Sequence, residues 1–104
     1  MNRPPEDAEL ADVIDTLGNP DALTIKQVIA VATGAFAEWL SKSRRAIPHR
    51  LERCGYVSVK NPDAKDGYWL IGTTRQPIFA RAMLSHQLQE IAARELCNRS
   101  SSRA

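Results

Sequence analysis

Arg44, Arg45, His49, Arg50 and Arg53 fall within one short stretch of the chain, with Lys42 just before them and Glu52 the one acid among them. Guanidinium groups at this density recognise anions, because each can donate a forked pair of hydrogen bonds to a phosphate or to a guanine edge. Whether they act together depends on the backbone that carries them. Pro48 has no N–H and its ring obstructs a helix interior, so it belongs in a first helical turn. The helix proper therefore begins near Ile47, with an irregular turn ahead of it. On a 3.6-residue repeat Ile47, Leu51 and Cys54 share one face, while Arg45, His49 and Arg53 share the opposite one, with Glu52 beside them. Arg50 lies nearer the apolar side. Gly55 is placed to end the helix in the left-handed conformation. An α-helix fits the major groove of duplex DNA, and Lys60, Lys65 and Arg75 further along can meet backbone phosphates.

The same residues admit a plainer reading. A basic helix face is also what a solvated surface or a protein-contact surface looks like, and Glu52 and the modest net charge pull in that direction. His49 is either a contact to phosphate or base, or a surface histidine beside arginines. His86 reads as a bystander. The spacings His49 to Cys54 and His86 to Cys97 lack the paired-ligand pattern that closes a tetrahedral zinc site, so no metal and no cofactor are expected. Cys54 is better explained as a small core residue. Asp63 and Asp66 read as turn formers. No Ser/His/Asp, Cys/His or paired-carboxylate arrangement is recognisable, and catalysis is not expected.

The 104 residues and 11.5 kDa suit one modest core. A hydrophobic share of 43% speaks against wholesale disorder. No apolar run approaches a membrane span and no leader pattern opens the chain, so secretion and membrane insertion are disfavoured. Two cysteines make no disulfide framework, and a cytoplasmic setting fits best. The net charge of +2 is unevenly spread. Residues 1–23 carry Arg3 against Glu6, Asp7, Glu9, Asp12, Asp15 and Asp21, a balance of −5, which leaves +7 for residues 24–104. An acidic front on a basic body hints at a polyanionic partner.

Around the basic stretch the chain divides cleanly. Pro4 and Pro5 open a helix over about 6–17 with Leu10, Val13, Ile14 and Leu17 on one face; Gly18 and Asn19-Pro20 stop it. Thr24 with Gln27 forms a capping box, and Leu23 with Val28 the accompanying hydrophobic staple. Ile25, Val28, Ile29 and Ala32 line the helix that follows, and Gly34 is expected to end it. A short helix places Phe36, Trp39 and Leu40 inward, and Ser41 to Ser43 make the next turn. After Gly55 the period changes to 2, giving a strand with Val57 and Val59 on one side. Residues 61–67 are a loop. Tyr68–Ile71 is a second strand, with either Tyr68 or Trp69 pointing outward, to stack on a nucleotide or to pack on the flanking helices. Residues 72–75 read as a turn and 78–81 as a possible third strand, with Pro77 confined to an edge. Ser85 caps a last helix over about 85–97, with Leu88, Ile91 and Ala92 inward. Residues 99–104 read as a disordered tail.

A helix, a short helix, a basic helix, a glycine and then a hairpin: this order over about 24–72 resembles a winged helix-turn-helix domain, and Arg50-Leu51-Glu52-Arg53-Cys54-Gly55-Tyr56-Val57 is its most specific piece. In that family the basic helix enters the major groove and the hairpin, or wing, lies on the sugar-phosphate backbone. More narrowly, Ala46-Ile47-Pro48-His49-Arg50-Leu51-Glu52, Gly55-Tyr56, Asn61, Asp66-Gly67 with Trp69, and Arg75-Gln76 look like the C-terminal winged-helix tail of primase–helicase replication proteins from prophages and plasmids. The Gly-rich phosphate loop of their motor domain is not among these residues. The resemblance implies a part in DNA replication or in transcription control.

The expectation is thus an α+β winged helix-turn-helix, a three-helix core plus a β-hairpin wing with an additional helix at each end. Its divisions are an acidic helix and linker over 1–23, the winged-helix domain over 24–84, a C-terminal helix over 85–98 and the tail over 99–104. Double-stranded DNA is the expected partner. Arg44, Arg45, His49 and Arg53 would address the major groove, and Lys60, Lys65 and Arg75 the backbone. The competing expectation is a protein-interaction or oligomerisation module. In it the apolar faces of the terminal helices, Leu10 to Leu17 and Leu84 to Ile91, pack on the domain or on a second copy, giving a homodimer.

Overall fold

The computed structural model describes residues 5–42 and 44–101; residues 1–4, Ser43 and residues 102–104 lie outside them. The chain is α+β, and its described residues form five α-helices, one short 3-10 turn and two small antiparallel sheets. Helix α1 spans Pro5–Thr16, and Gly18 (φ +90°) and Asn19 (φ +48°) turn the chain after it. A two-residue strand β1, Ala22–Leu23, follows in the segment read as linker. Thr24 then caps α2 (Ile25–Val31) as its sequence dictates. Its hydroxyl accepts from the Gln27 amide at 3.1 Å, and its own amide donates to the Gln27 side chain at 3.0 Å.

Gly34 does not close α2. The chain leaves helical geometry already at Ala32 (ψ 146°), and Gly34 (φ +62°) opens α3, Gly34–Lys42. Ser41 and Lys42, read as a turn, are therefore the last residues of α3. A 3-10 turn at Arg44–Ala46 leads into α4, Ile47–Arg53, which is the irregular entry that Pro48 demanded.

The strands pair differently from the simple hairpin expected. Strand β2 (Tyr56–Val59) pairs not with β3 (Trp69–Ile71) but with β5 (Ile78–Arg81), and β5 also pairs with β1, giving the order β1-β5-β2. Strand β3 finds its partner in β4 (Thr74–Gln76), which begins within the segment 72–75 read as turn, with Leu70 opposite Arg75. Pro77 falls between β4 and β5, where no ladder needs its missing amide. Residues 60–77 are thus an arm, with its own small sheet, inserted between the two long strands.

The three-stranded sheet is a middle layer, and the two-residue period of its strands serves two cores. Leu23, Tyr56 and Phe79 face a cluster with Leu10, Val13 and Ile14 of α1, Val28 of α2, Phe36 and Leu40 of α3, and Ile47 and Leu51 of α4. Ala22, Val59, Ile78 and Ala80 face a second cluster with Trp69 and the α5 residues Ala92, Ala93 and Leu96. Because both faces are covered, Tyr56 is buried along with Val59, while Val57 is only half-buried.

Helix α5 spans His86–Ser101, so residues 99–101 are helical rather than tail. Its inner face is also rotated from the one expected. Gln89, Ala92, Ala93 and Leu96 are buried, while Leu88 and Ile91 are 50% and 44% exposed. The side-chain nitrogen of Gln89 donates to the carbonyls of Arg81 and Leu84, both at 3.1 Å, which pins the rotation, and the two alanines let the helix approach the sheet closely. Among the described residues no helix is long and apolar enough to cross a membrane.

Two substitutions check this packing by denaturant unfolding. Leu51→Ala removes a fully buried side chain beneath α4 and is expected to cost about 2–5 kcal/mol. Thr24→Ala removes the capping hydroxyl and is expected to cost about 1 kcal/mol.

Candidate functional site

Helix α4 has no side-chain cap at Ala46, and Pro48 stands in its first turn, where the missing N–H is one of the groups a helix leaves unpaired anyway. At the other end the Cys54 amide reaches back to the carbonyls of Arg50 (3.2 Å) and Leu51 (3.0 Å), and the Gly55 amide to Glu52 (3.0 Å). Gly55 has φ +88°, a backbone that other residues adopt only under strain, and its carbonyl accepts from the Ala82 amide at 2.8 Å. The end of α4 is thereby fixed to the end of β5.

With Ile47 and Leu51 fully buried, the rotation of α4 is set. His49, Glu52 and Arg53 of α4 are exposed, and so is Arg45, which belongs not to α4, as the helical repeat had it, but to the 3-10 turn before it. Among the described residues no ion pair engages Arg45 or His49, whereas Arg53 retains a partner within the chain. Arg44 belongs to the 3-10 turn by its backbone, and its side chain lies outside the described residues. Arg50 is half-buried, with its guanidinium 5.7 Å from the centre of the Trp39 ring, which in turn stacks on Phe36 at 5.8 Å. Its cation thus helps join α4 to α3.

The arm carries the other cations. Lys60 and Lys65 are exposed, and among the described residues neither is in an ion pair. Arg75 is exposed too, but its guanidinium lies 2.5 Å from Asp66 Oδ1, so its charge is met within the arm. The same Asp66 oxygen accepts from the Tyr68 amide at 3.0 Å, the turn-forming role its sequence suggested. That amide, followed by the Arg75 cation, holds the Asp66 carboxyl below its ordinary pKa of 3.8. Asn61 ties the rest of the loop. Its side-chain oxygen accepts from the Asp63 amide at 3.0 Å, and its side-chain nitrogen donates to the Tyr68 carbonyl at 3.1 Å. Of the aromatic pair, Tyr68 is the exposed one. Trp69 is 3% exposed, and its indole N–H donates to the Val59 carbonyl at 2.7 Å.

Two arginines outside the predicted set hold the scaffold together. Arg81 donates to the carbonyls of Asn19 and Pro20, the latter also accepting from the Tyr56 hydroxyl at 2.6 Å. Burial pushes the Tyr56 phenol above its ordinary pKa of 10.0, and Arg81 works against that shift. Arg94 of α5 lies over Trp69 and pairs with Asp63 at 3.6 Å. No sequence signal joins Arg94 to Trp69, because the contact exists only once α5 has folded back across the sheet.

The remaining reactive groups do not assemble. His86 is exposed beside Glu90 at 3.6 Å. Burial raises the Cys97 thiol above its ordinary pKa, which favours the unreactive thiol form. Cys54 lines an open groove of about 670 Å³ between α1, the end of α4 and the 81–83 turn, and no histidine lines it. Among the described residues no three His, Cys, Asp or Glu side chains gather so as to hold a metal ion. No protein-family model matches the chain, and no curated protein or solved structure does.

Asp66 generates a pH dependence with a definite sign. A carboxyl whose folded pKa lies below its unfolded one adds stability above the ordinary carboxylate range, and loses it as pH falls through the lowered value. The Tyr68 amide resonance should therefore hold steady from neutral pH down to about 5 and shift below about 4. Asp66→Ala should remove that transition.

Proposed function

We propose that the chain is a winged helix-turn-helix domain that binds double-stranded DNA without catalysis. In this reading α4 is the recognition helix and the 60–77 arm is the wing. The observation that carries the reading is the two-sided character of α4. Ile47 and Leu51 are sealed into the core, while His49 and Arg53 of α4, and Arg45 of the 3-10 turn that leads into it, are exposed just before the strand that leads into the arm. Those three address the major groove, where arginine can bond to guanine edges. Lys60 and Lys65 meet phosphates, which fixes register without reading sequence. Arg75 contributes less than its exposure suggests, since Asp66 already neutralises it. Arg44 stays a candidate on its sequence position. A role in replication or transcription control of a mobile element rests on the resemblance carried by Ala46–Glu52 and the arm residues.

A second reading, self-association, is favoured by one observation. Met83, Leu88 and Ile91 are 81%, 50% and 44% exposed at and beside the start of α5, whereas Leu10, Val13 and Ile14 of α1 are buried within the chain.

Anisotropy of a labelled duplex across a salt series tests the first reading. Phosphate contacts from Lys60 and Lys65 should give a slope of log affinity on log salt of about −2. Arg45→Glu should weaken binding by about tenfold or more with unfolding unchanged. Absent or salt-insensitive binding overturns it. Light scattering tests the second: a mass of twice 11.5 kDa that Ile91→Glu returns to 11.5 kDa supports it, and a single-chain mass for the native protein removes it.

A further inference from the structure

We propose that Arg94 is a positioning residue that fastens the 60–77 arm to α5, and so places Lys60 and Lys65 on the DNA; the second half of this statement rests on the DNA-binding reading. The arm needs a fastening. Strands β3 and β4 share no ladder with the three-stranded sheet, and a lone two-stranded hairpin has little stability of its own. Trp69 gives it one anchor, sunk against Ala93 and Leu96. That anchor holds β3 and leaves the 61–67 loop, where Lys65 stands, to be held otherwise.

Arg94 reaches both parts. Its guanidinium lies 5.6 Å from the centre of the Trp69 ring and 3.6 Å from Asp63 in the loop. Glu90, one turn earlier on α5, faces the same guanidinium at 4.0 Å, with the acid on the N-terminal side, the favourable order on a helix. A planar guanidinium can lie on a ring and donate to a carboxylate at once, which an ammonium cannot do in the same geometry. With Asp63 and Glu90 both on it, Arg94 is a poor ligand for a phosphate. Its effect on DNA is exerted through the arm.

Amide hydrogen exchange and duplex binding on the full chain separate the two halves of the proposal. In Arg94→Ala the amides of Asn61, Gly67 and Tyr68, all bonded within the loop, should exchange about tenfold faster, with Arg94→Lys in between. The amides of Arg81 and Ala82 at the end of β5 should be unchanged. Unchanged loop amides overturn the fastening, and so does equal acceleration at β5, which would mean general loosening. Duplex affinity of Arg94→Ala should fall about three- to tenfold at an unchanged salt slope, while Lys60→Gln should reduce the slope by about one. A slope reduced by about one in Arg94→Ala with loop exchange unchanged would make Arg94 itself a phosphate contact and overturn the positioning role. Unaltered affinity despite faster loop exchange would do the same. If the native chain binds no duplex, the DNA-binding reading falls with the placing of the lysines, and the exchange data alone still decide the fastening.

Discussion

Ile47 and Leu51 fix the rotation of α4 about its own axis, and the outward face of the molecule depends on that rotation. A helix of seven residues is too short to hold itself in water. It exists because one side is sealed against α1 and the sheet, and that sealing determines which side chains face solvent. The left-handed Gly55 completes the constraint: it lets the helix end abruptly and puts the next residue, Tyr56, directly into a strand. A change that rotated α4 by one residue would bury Arg50 in one sense or Glu52 in the other and expose a leucine, a costly exchange either way.

The sheet translates that local constraint into a global one. Its three strands are short, and each turns residues toward two cores at once. Phe79 and Tyr56 support the helical layer, while Ile78 and Ala80, on either side of Phe79 in β5, support α5 and the arm. Arg81 and the Tyr56 hydroxyl close the junction where α1 turns into β1, donating to the carbonyls of Asn19 and Pro20. The arm is thus attached to the same sheet as α4, through opposite faces of the same strands.

Charge is organised by the same arrangement. Some cations are matched inside the structure: Arg75 by Asp66, Arg94 by Asp63 and Glu90, Arg81 by Asp21. Others, Arg45, Lys60 and Lys65 among them, stand exposed. The chain's modest net charge therefore understates the contrast between its surfaces, because matched pairs cancel where they lie and the exposed cations act outward.

What the sequence determined by itself is whatever is decided within a turn or two of chain. The Thr24–Gln27 box, the entry to α4 at Pro48, its exit at Gly55, its apolar and cationic faces and the Asp66 turn were all legible, because steric rules and helical repeat act over a few residues. Tertiary structure decided what depends on residues far apart. Two alternating strands do not say with whom they pair, so β2 joined β5 rather than β3, and a two-residue stretch as short as Ala22–Leu23 carries no strand signal until a neighbour donates to it. Helix α5 offers apolar residues all around, and its buried side was chosen by Gln89 finding two carbonyls and by the fit of two alanines on the sheet. Arg75 and Arg94 look alike in sequence to the outward-facing cations; only folding brought carboxylates to them.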